Sequence, residues 1–239
     1  MKVIILGDSI SEGIGSKKVN YCKILESRLP NLNFSNLALT GTTITYCQTI
    51  MKDVLDIKPD IVIMFYGNVD ALPRVKENTF VYKCIPKRYK GLGMMDPRAL
   101  YTSRKKKRFI QKIDSFIRYK MKNTIIKYQG YTQWTPAKEF KEKYDQILSI
   151  FKKNGINVIT ISNVPISEKY FNHANLEYKN YNHIIEGLSN KYEYEYINLY
   201  KELSGYKLNE VFLHDLYHPN KYGYEIISDL ITEKILKLI

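Results

Sequence analysis

Residues 1–15 read MKVIILGDSISEGIG, and the fold is decided there. The apolar run 3–6 is short and unbroken, and it stops at Gly7-Asp8-Ser9. A run of that length bounded by a turn signal reads as a strand buried on both faces, followed by a turn and a helix cap. It is too short for the apolar core of a leader peptide, and no small-residue cleavage site follows, so the opening is expected to be a first strand.

Working outward, similar apolar runs occur at 33–39, 61–66, 158–161 and 194–199, and each is expected to be a strand. Helical spacing fills the intervals at about 19–29, 44–55, 136–153, 174–192 and 222–238. Strand and helix alternate, which predicts an α/β fold: a three-layer α/β/α sandwich around a five-stranded parallel sheet. In open sheets of this kind function gathers beyond the carboxyl ends of the strands, here the segments after Leu6, Leu39 and Tyr66.

With 239 residues, 44% hydrophobic and 26% charged, the chain is expected to form one soluble domain, 1–239. No apolar run approaches the length that spans a bilayer. Cys22, Cys47 and Cys84 are scattered and odd in number, which suits neither a disulfide framework nor a zinc site and points to a reducing, cytoplasmic compartment.

The net charge of +13 is not spread evenly. Residues 72–135 hold 17 of the 37 Lys and Arg but only 3 of the 24 Asp and Glu. Lysine-rich drift would have spread the charge, so a localised anionic partner is expected there. The segment opens irregularly, with Pro73, Pro86, Gly91, Gly93 and Pro97, and continues as RKKKRFIQKIDSFIRYKMKNTIIKY, residues 104–128. Phe109, Ile113, Phe116, Ile117, Met121 and Ile125 recur at helical spacing, which predicts an amphipathic helix with one apolar face. We therefore expect 72–135 to be an insertion subdomain after the third strand, with 104–127 facing an anionic glycan or an anionic membrane surface, or else packed onto the sandwich with its lysines in water.

Two motifs carry chemistry. Gly7-Asp8-Ser9 presents a serine at the carboxyl edge of the sheet, and near the other end FLHDLYHPN sets Asp215 three residues before His218. A serine nucleophile needs an imidazole to take its proton, and the imidazole needs an acceptor on its other nitrogen. Each motif alone also has an ordinary reading, a capped turn for the first and a surface turn for the second. Their joint presence at the two ends of one α/β chain favours Ser9, Asp215 and His218 as a catalytic set.

The chain resembles the SGNH, or GDSL-like, hydrolases, whose nucleophile lies in an amino-terminal Gly-Asp-Ser and whose Asp-x-x-His precedes a carboxy-terminal helix. NLALTG, ending at Gly41, matches their second block. The resemblance covers about 1–70 and 136–239. It implies a flavodoxin-like sandwich, an acyl-serine intermediate, and backbone N–H groups of Ser9 and Gly41 in the oxyanion hole. The third block departs from the family's Gly-x-Asn-Asp, because this chain reads Tyr66-Gly67-Asn68-Val69-Asp70. If Gly67 and Asp70 keep their usual places, Val69 stands where the family has Asn; Asn68 is expected to reach the hole through a tighter loop. YGNVDALPR and YTQWTPAKEF further resemble a subgroup encoded with bacterial capsule and lipopolysaccharide genes, which implies a carbohydrate ester as substrate, with Tyr66, Arg74, Tyr131 and Trp134 as candidate lining residues.

Other chemistries lack their signatures. There is no phosphate-binding Gly-rich loop, no dinucleotide fingerprint and no His-Glu-x-x-His, and His173, His183, His214 and His218 form no ligand set, so neither cofactor nor metal is expected. Nucleic acid is disfavoured for want of a motif. Two readings stand: an ester hydrolase or O-acyltransferase acting on a carbohydrate, working in the cytoplasm or at the inner membrane face, and a catalytically weak module of the same fold that binds an anionic glycan or a membrane surface.

Overall fold

The computed structural model describes residues 1–16, 19–91, 93–97 and 105–239. Five strands, β1 (Lys2–Gly7), β2 (Asn33–Asn36), β3 (Ile61–Phe65), β4 (Asn157–Ile161) and β5 (Glu195–Ile197), form one parallel sheet in the order β2-β1-β3-β4-β5. The register runs from Val3 opposite Ile61 to Gly7 opposite Phe65 across the central pair. Val3 to Leu6 and Ile61 to Phe65 are fully buried, as expected for strands covered on both faces. The chain reverses its winding direction between β1 and β3, which opens a crevice beyond their carboxyl ends.

The helices are α1 (Ser9–Glu12), α2 (Tyr21–Arg28), α3 (Ile44–Thr49), α4 (Met51–Ile57), α5 (Phe80–Cys84), α6 (Lys105–Gln129), α7 (Ala137–Lys153), α8 (Ala174–Tyr192), α9 (Leu199–Ser204), α10 (Leu208–Val211) and α11 (Lys221–Leu238). α11 packs with α2 on one face of the sheet, and α7 packs with α3 and α8 on the other. α7 buries Phe140, Tyr144, Ile147, Leu148 and Phe151, a stripe at three- and four-residue spacing, and each such side chain contributes roughly 1.5–3 kcal/mol on leaving water.

Three elements differ from expectation for local reasons. β5 ends at Ile197 because Asn198 caps α9 by accepting from Lys201 N–H. β2 ends at Asn36, three residues early, because that side chain accepts from Ala38 N–H and donates to Ser11 O, turning the chain out of the ladder. The helix expected at 44–55 is two, broken at Ile50, where the Thr49 hydroxyl competes for the Tyr46 carbonyl.

The segment between β3 and α7 leaves and returns through one antiparallel bridge, Arg74 with Thr132. It has its own small core of Val75, Ile85, Tyr89, Met95, Ile125 and Ile126. Of the two expectations for α6, packing of its apolar face onto the sandwich is corrected here: Phe109, Ile113, Phe116 and Ile117 are 64%, 45%, 53% and 39% exposed. The helix is anchored instead through Arg118, Tyr119, Lys122, Ile125 and Ile126. That small core reaches only its carboxy-terminal half. Arg104, expected to start this helix, and 98–103 lie outside the described residues. No described helix is long and apolar enough to cross a membrane.

Candidate active site

β1 delivers Ser9 to the crevice. Asp8 caps α1 by accepting from Ile10 N–H at 2.9 Å, which fixes Ser9 as the first helical residue. Ser9 N–H therefore has no acceptor within its own helix. From the far end of the chain, the Tyr224 hydroxyl of α11 donates to Ile10 O at 2.9 Å and holds this turn down.

The partner turn is built between α10 and α11. Leu213 N–H donates to His218 O at 2.7 Å, and Asn220 caps α11 by accepting from Gly223 N–H at 3.0 Å. Within the loop Leu216 is left-handed, φ +54°, a conformation that costs a branched residue about 1–3 kcal/mol. The same turn lets Asp215 Oδ1 accept from Tyr217 and His218 N–H at 3.2 and 3.1 Å, while its Oδ2 meets His218 Nδ1 at 2.7 Å. His218 Nε2 lies 2.9 Å from Ser9 Oγ. With the Nδ1 proton directed at Asp215, Nε2 is left as the base facing the hydroxyl. The three residues named from the two ends of the sequence are thus brought together, with Ser9 5% and Asp215 2% exposed.

They open into a cleft of about 170 Å³. Ser9, Thr40, Gly41, Val69 and Leu72 line it from the sandwich, with Phe171, Tyr217 and His218 beside them. Arg74, Gly93, Asp96, Pro97 and Trp134 close it from the segment after β3. Arg74 stacks over Trp134 at 3.9 Å and pairs with Asp96, whose other oxygen takes Lys122 Nζ at 2.7 Å. Burial alone would push the Asp96 carboxyl up; Arg74 and Lys122 together hold it below its usual range. Gly41, φ +73°, has open space where a Cβ would stand, so its backbone is exposed to the cleft side.

Asn68 is not where the sequence led us to expect it. It is fully buried, its Oδ1 accepts from Val164 N–H at 3.1 Å, and Tyr178 OH donates to its carbonyl at 2.8 Å. Its amide nitrogen has no partner at hydrogen-bond distance and lies beside Asp8. Val69 is the cleft residue. Position 67 is held to glycine, φ +123°, because an added Cβ would stand 2.5 Å from Asn163 Oδ1, and the bond from Val164 N–H turns the Asn68 side chain inward. Tyr66 is a second correction: it is fully buried in the main core and does not line the cleft. Tyr131 is also elsewhere, its hydroxyl 2.6 Å from Glu177 and its ring stacked on His173.

Beneath the serine lie two buried carboxyls. Burial pushes Asp8 up to about 7, with Asp70 adding to the rise and Ile10 N–H and His218 opposing it. Burial likewise raises Asp70 to about 6, against its bond from Ile44 N–H at 3.0 Å. Sequence reading missed Asp96, Phe171 and Tyr217 as cleft residues. Asp96 carried a signal, being one of three acids in a strongly basic segment. Among the described residues no group of three or more His, Cys, Asp or Glu is gathered as a metal ion would require.

The sequence profile of the GDSL-like Lipase/Acylhydrolase family matches residues 5–226. Among solved structures, an acetyl xylan esterase is similar with a TM-score of 0.65 and 19% identity, covering 98% of each chain. A lipase/acylhydrolase from Enterococcus faecalis has a TM-score of 0.64 and 17% identity, covering 98% of this chain and 95% of its own. A catalytic mutant of an acetylxylan esterase from Geobacillus stearothermophilus has a TM-score of 0.63 and 13% identity, covering 98% and 93%. At these identities the structures establish a shared fold. No curated protein gives a match.

Proposed function

The chain belongs to the GDSL-like lipase/acylhydrolase family, and from that premise we propose that it cleaves an acyl ester on a carbohydrate with Ser9 as nucleophile, His218 as general base and acid, and Asp215 as the residue that orients it. The carrying observation is the relay of 2.9 and 2.7 Å from Ser9 Oγ through the imidazole to Asp215. As Ser9 Oγ bonds to the ester carbonyl carbon, its proton passes to His218 Nε2, and the carbonyl electron pair moves onto oxygen. In this reading the N–H groups of Ser9 and Gly41, both residues of the cleft wall, receive that oxyanion. Collapse expels the sugar hydroxyl, which takes the proton from Nε2 and leaves an acyl-serine. Water, or another sugar hydroxyl, then repeats the steps in reverse.

The carbohydrate is supported by the cleft walls. Trp134 offers a flat apolar face, and Arg74 and Asp96 offer polar groups held rigid by each other and by Lys122. Two of the similar solved structures named above are acetyl xylan esterases, one of them a catalytic mutant. The residues 72–135 act as a subdomain that completes the cleft of one domain. Incubation with an acetylated xylo-oligosaccharide, following both acetate release and acetyl transfer to an added sugar, tests the reading and divides hydrolysis from transfer. Release or transfer that disappears in His218→Ala supports it; neither product, with Ser9 unreactive, overturns it.

A second reading concerns location. On the half of α6 beyond the small core, Phe109, Ile110, Ile113, Phe116 and Ile117 are 39–64% exposed alongside the exposed Lys106 and Lys120. A contiguous apolar strip carrying cations suits an anionic membrane surface, with the body of the enzyme on the cytoplasmic side. The unpaired Cys22, Cys47 and Cys84 suit a reducing compartment.

A further inference from the structure

A second cavity, of about 420 Å³, adjoins the serine cleft and plays no part in the steps above. It lies between α6 and the Asp215 turn, and the two spaces share Pro97. Its floor is aromatic: Tyr119 and Tyr170 sit 4.9 Å apart between ring centroids, and Phe116 meets Tyr119 edge-on at 5.6 Å. Flat aromatic faces of this kind cover the C–H face of a sugar ring while leaving its hydroxyls free.

The rim is cationic. Lys112 and Lys169 line it, and Arg108 reaches in to hydrogen-bond His214 Nε2. Among the described residues no carboxylate forms an ion pair with any of these three cations; Asp114, the acid nearest in sequence on α6, is taken by Arg118. Asp215 does line the cavity, but its oxygens are engaged by His218 Nδ1 and by two backbone N–H groups. Burial, then the charges of Arg108 and Lys112, push the His214 imidazole below its ordinary pKa, with Asp215 opposing them.

We propose that this cavity is a binding subsite for an anionic sugar unit, bearing a carboxylate or a phosphate, next to the sugar whose ester is cleaved. The position of that unit relative to the ester rests on the reading of Ser9 given above; the binding itself does not. Arg108, Lys112 and Lys169 supply charge-assisted bonds to the oxyanion, and the half-buried Tyr170 supplies an aromatic face for its ring. A neutral glycan would leave the cations unpaired, so the substrate class this surface selects is an acylated acidic glycan or sugar phosphate.

Calorimetric titration of the full chain with trigalacturonate, with glucose 1-phosphate and with neutral xylotriose tests the inference without any turnover. We expect at least one anionic probe to bind about tenfold or more tightly than xylotriose, with a preference that falls as salt is raised. Tighter trigalacturonate assigns a carboxylate and tighter glucose 1-phosphate a phosphate. In Lys112→Gln/Lys169→Gln the preference should vanish, and in Lys112→Arg/Lys169→Arg it should persist. Equal binding of charged and neutral probes, or a preference untouched by the Gln pair, would overturn the subsite. Inertness of Ser9 towards every ester would strike only the esterase reading, because the titration still decides the cavity.

Discussion

Replacing Val69 by Asn asks which residue of the third block faces the reacting carbonyl. Val69 is 5% exposed and shares the cleft wall with Ser9 and Gly41, whereas Asn68 is fully buried with its Oδ1 on Val164 N–H. Asn has a smaller volume than Val but reaches one bond further, towards the cleft that Val69 lines, and burying an amide there costs about 1–3 kcal/mol of stability if it finds no partner in the resting enzyme. A well-placed oxyanion donor is worth roughly 2.7–4 kcal/mol in the transition state, or about 10²–10³ in rate. An amide not held by neighbours realises part of that, and about a tenfold rise in kcat is expected. Steady-state hydrolysis of p-nitrophenyl acetate by wild type, Val69→Asn and Asn68→Ala reads the result. Asn68→Ala should keep kcat within a few-fold while melting earlier, since Val164 N–H loses its acceptor at a cost of about 1–3 kcal/mol. A hundredfold loss of kcat in a stably folded Asn68→Ala, with no gain in Val69→Asn, would refute this account of the cleft wall.

Asp215→Asn should leave the turn folded but lower kcat by about 10³–10⁴, because the proton on the imidazole is no longer held at Nδ1; a loss under tenfold counts against the relay. Asp8 and Asp70 have folded-state values of about 7 and about 6, above the unfolded 3.8, so the stability they lend is full below that value and is lost as pH climbs through about 6 to 7. Asp8→Asn keeps the acceptor for Ile10 N–H and should gain on wild type between about pH 4 and pH 7 in urea melts; a constant difference across that window would contradict the shift. Sedimentation with vesicles should show binding that grows with anionic lipid and weakens with salt, and that is reduced in Phe109→Ser/Ile113→Ser; no binding to strongly anionic vesicles at low salt removes the membrane reading.

The sheet was legible because its central strands are buried on both faces, and 3–6 and 61–66 are unbroken apolar runs for that reason. The ends of elements were less so. Asn36 and Thr49 act through single side-chain bonds to the backbone, which periodicity does not register. That Ser9, Asp215 and His218 would meet was readable from motif and position, since the proposed chemistry restricts residue types as well as their order. The apolar residues of α6 were found correctly, but periodicity cannot say which arc meets a partner, and the small core grips the arc of Arg118, Lys122 and Ile126. Asn68 failed on a one-residue question, because its side chain is taken by Val164 N–H, from a segment nearly a hundred residues away in sequence. Arg74 and Trp134 could be named as candidates, while Asp96, which joins Arg74 to Lys122, needed the structure.

The central claim is that Ser9 is the nucleophile, activated by His218 2.9 Å away. Intact-mass spectrometry after treatment with a fluorophosphonate measures this directly, because the reagent forms a stable bond only with an activated hydroxyl and reports one event per protein. The account predicts a single adduct on wild type, none on Ser9→Ala, and strongly slowed labelling of His218→Ala. Equal labelling of wild type and Ser9→Ala, or none of a folded wild type, would contradict it.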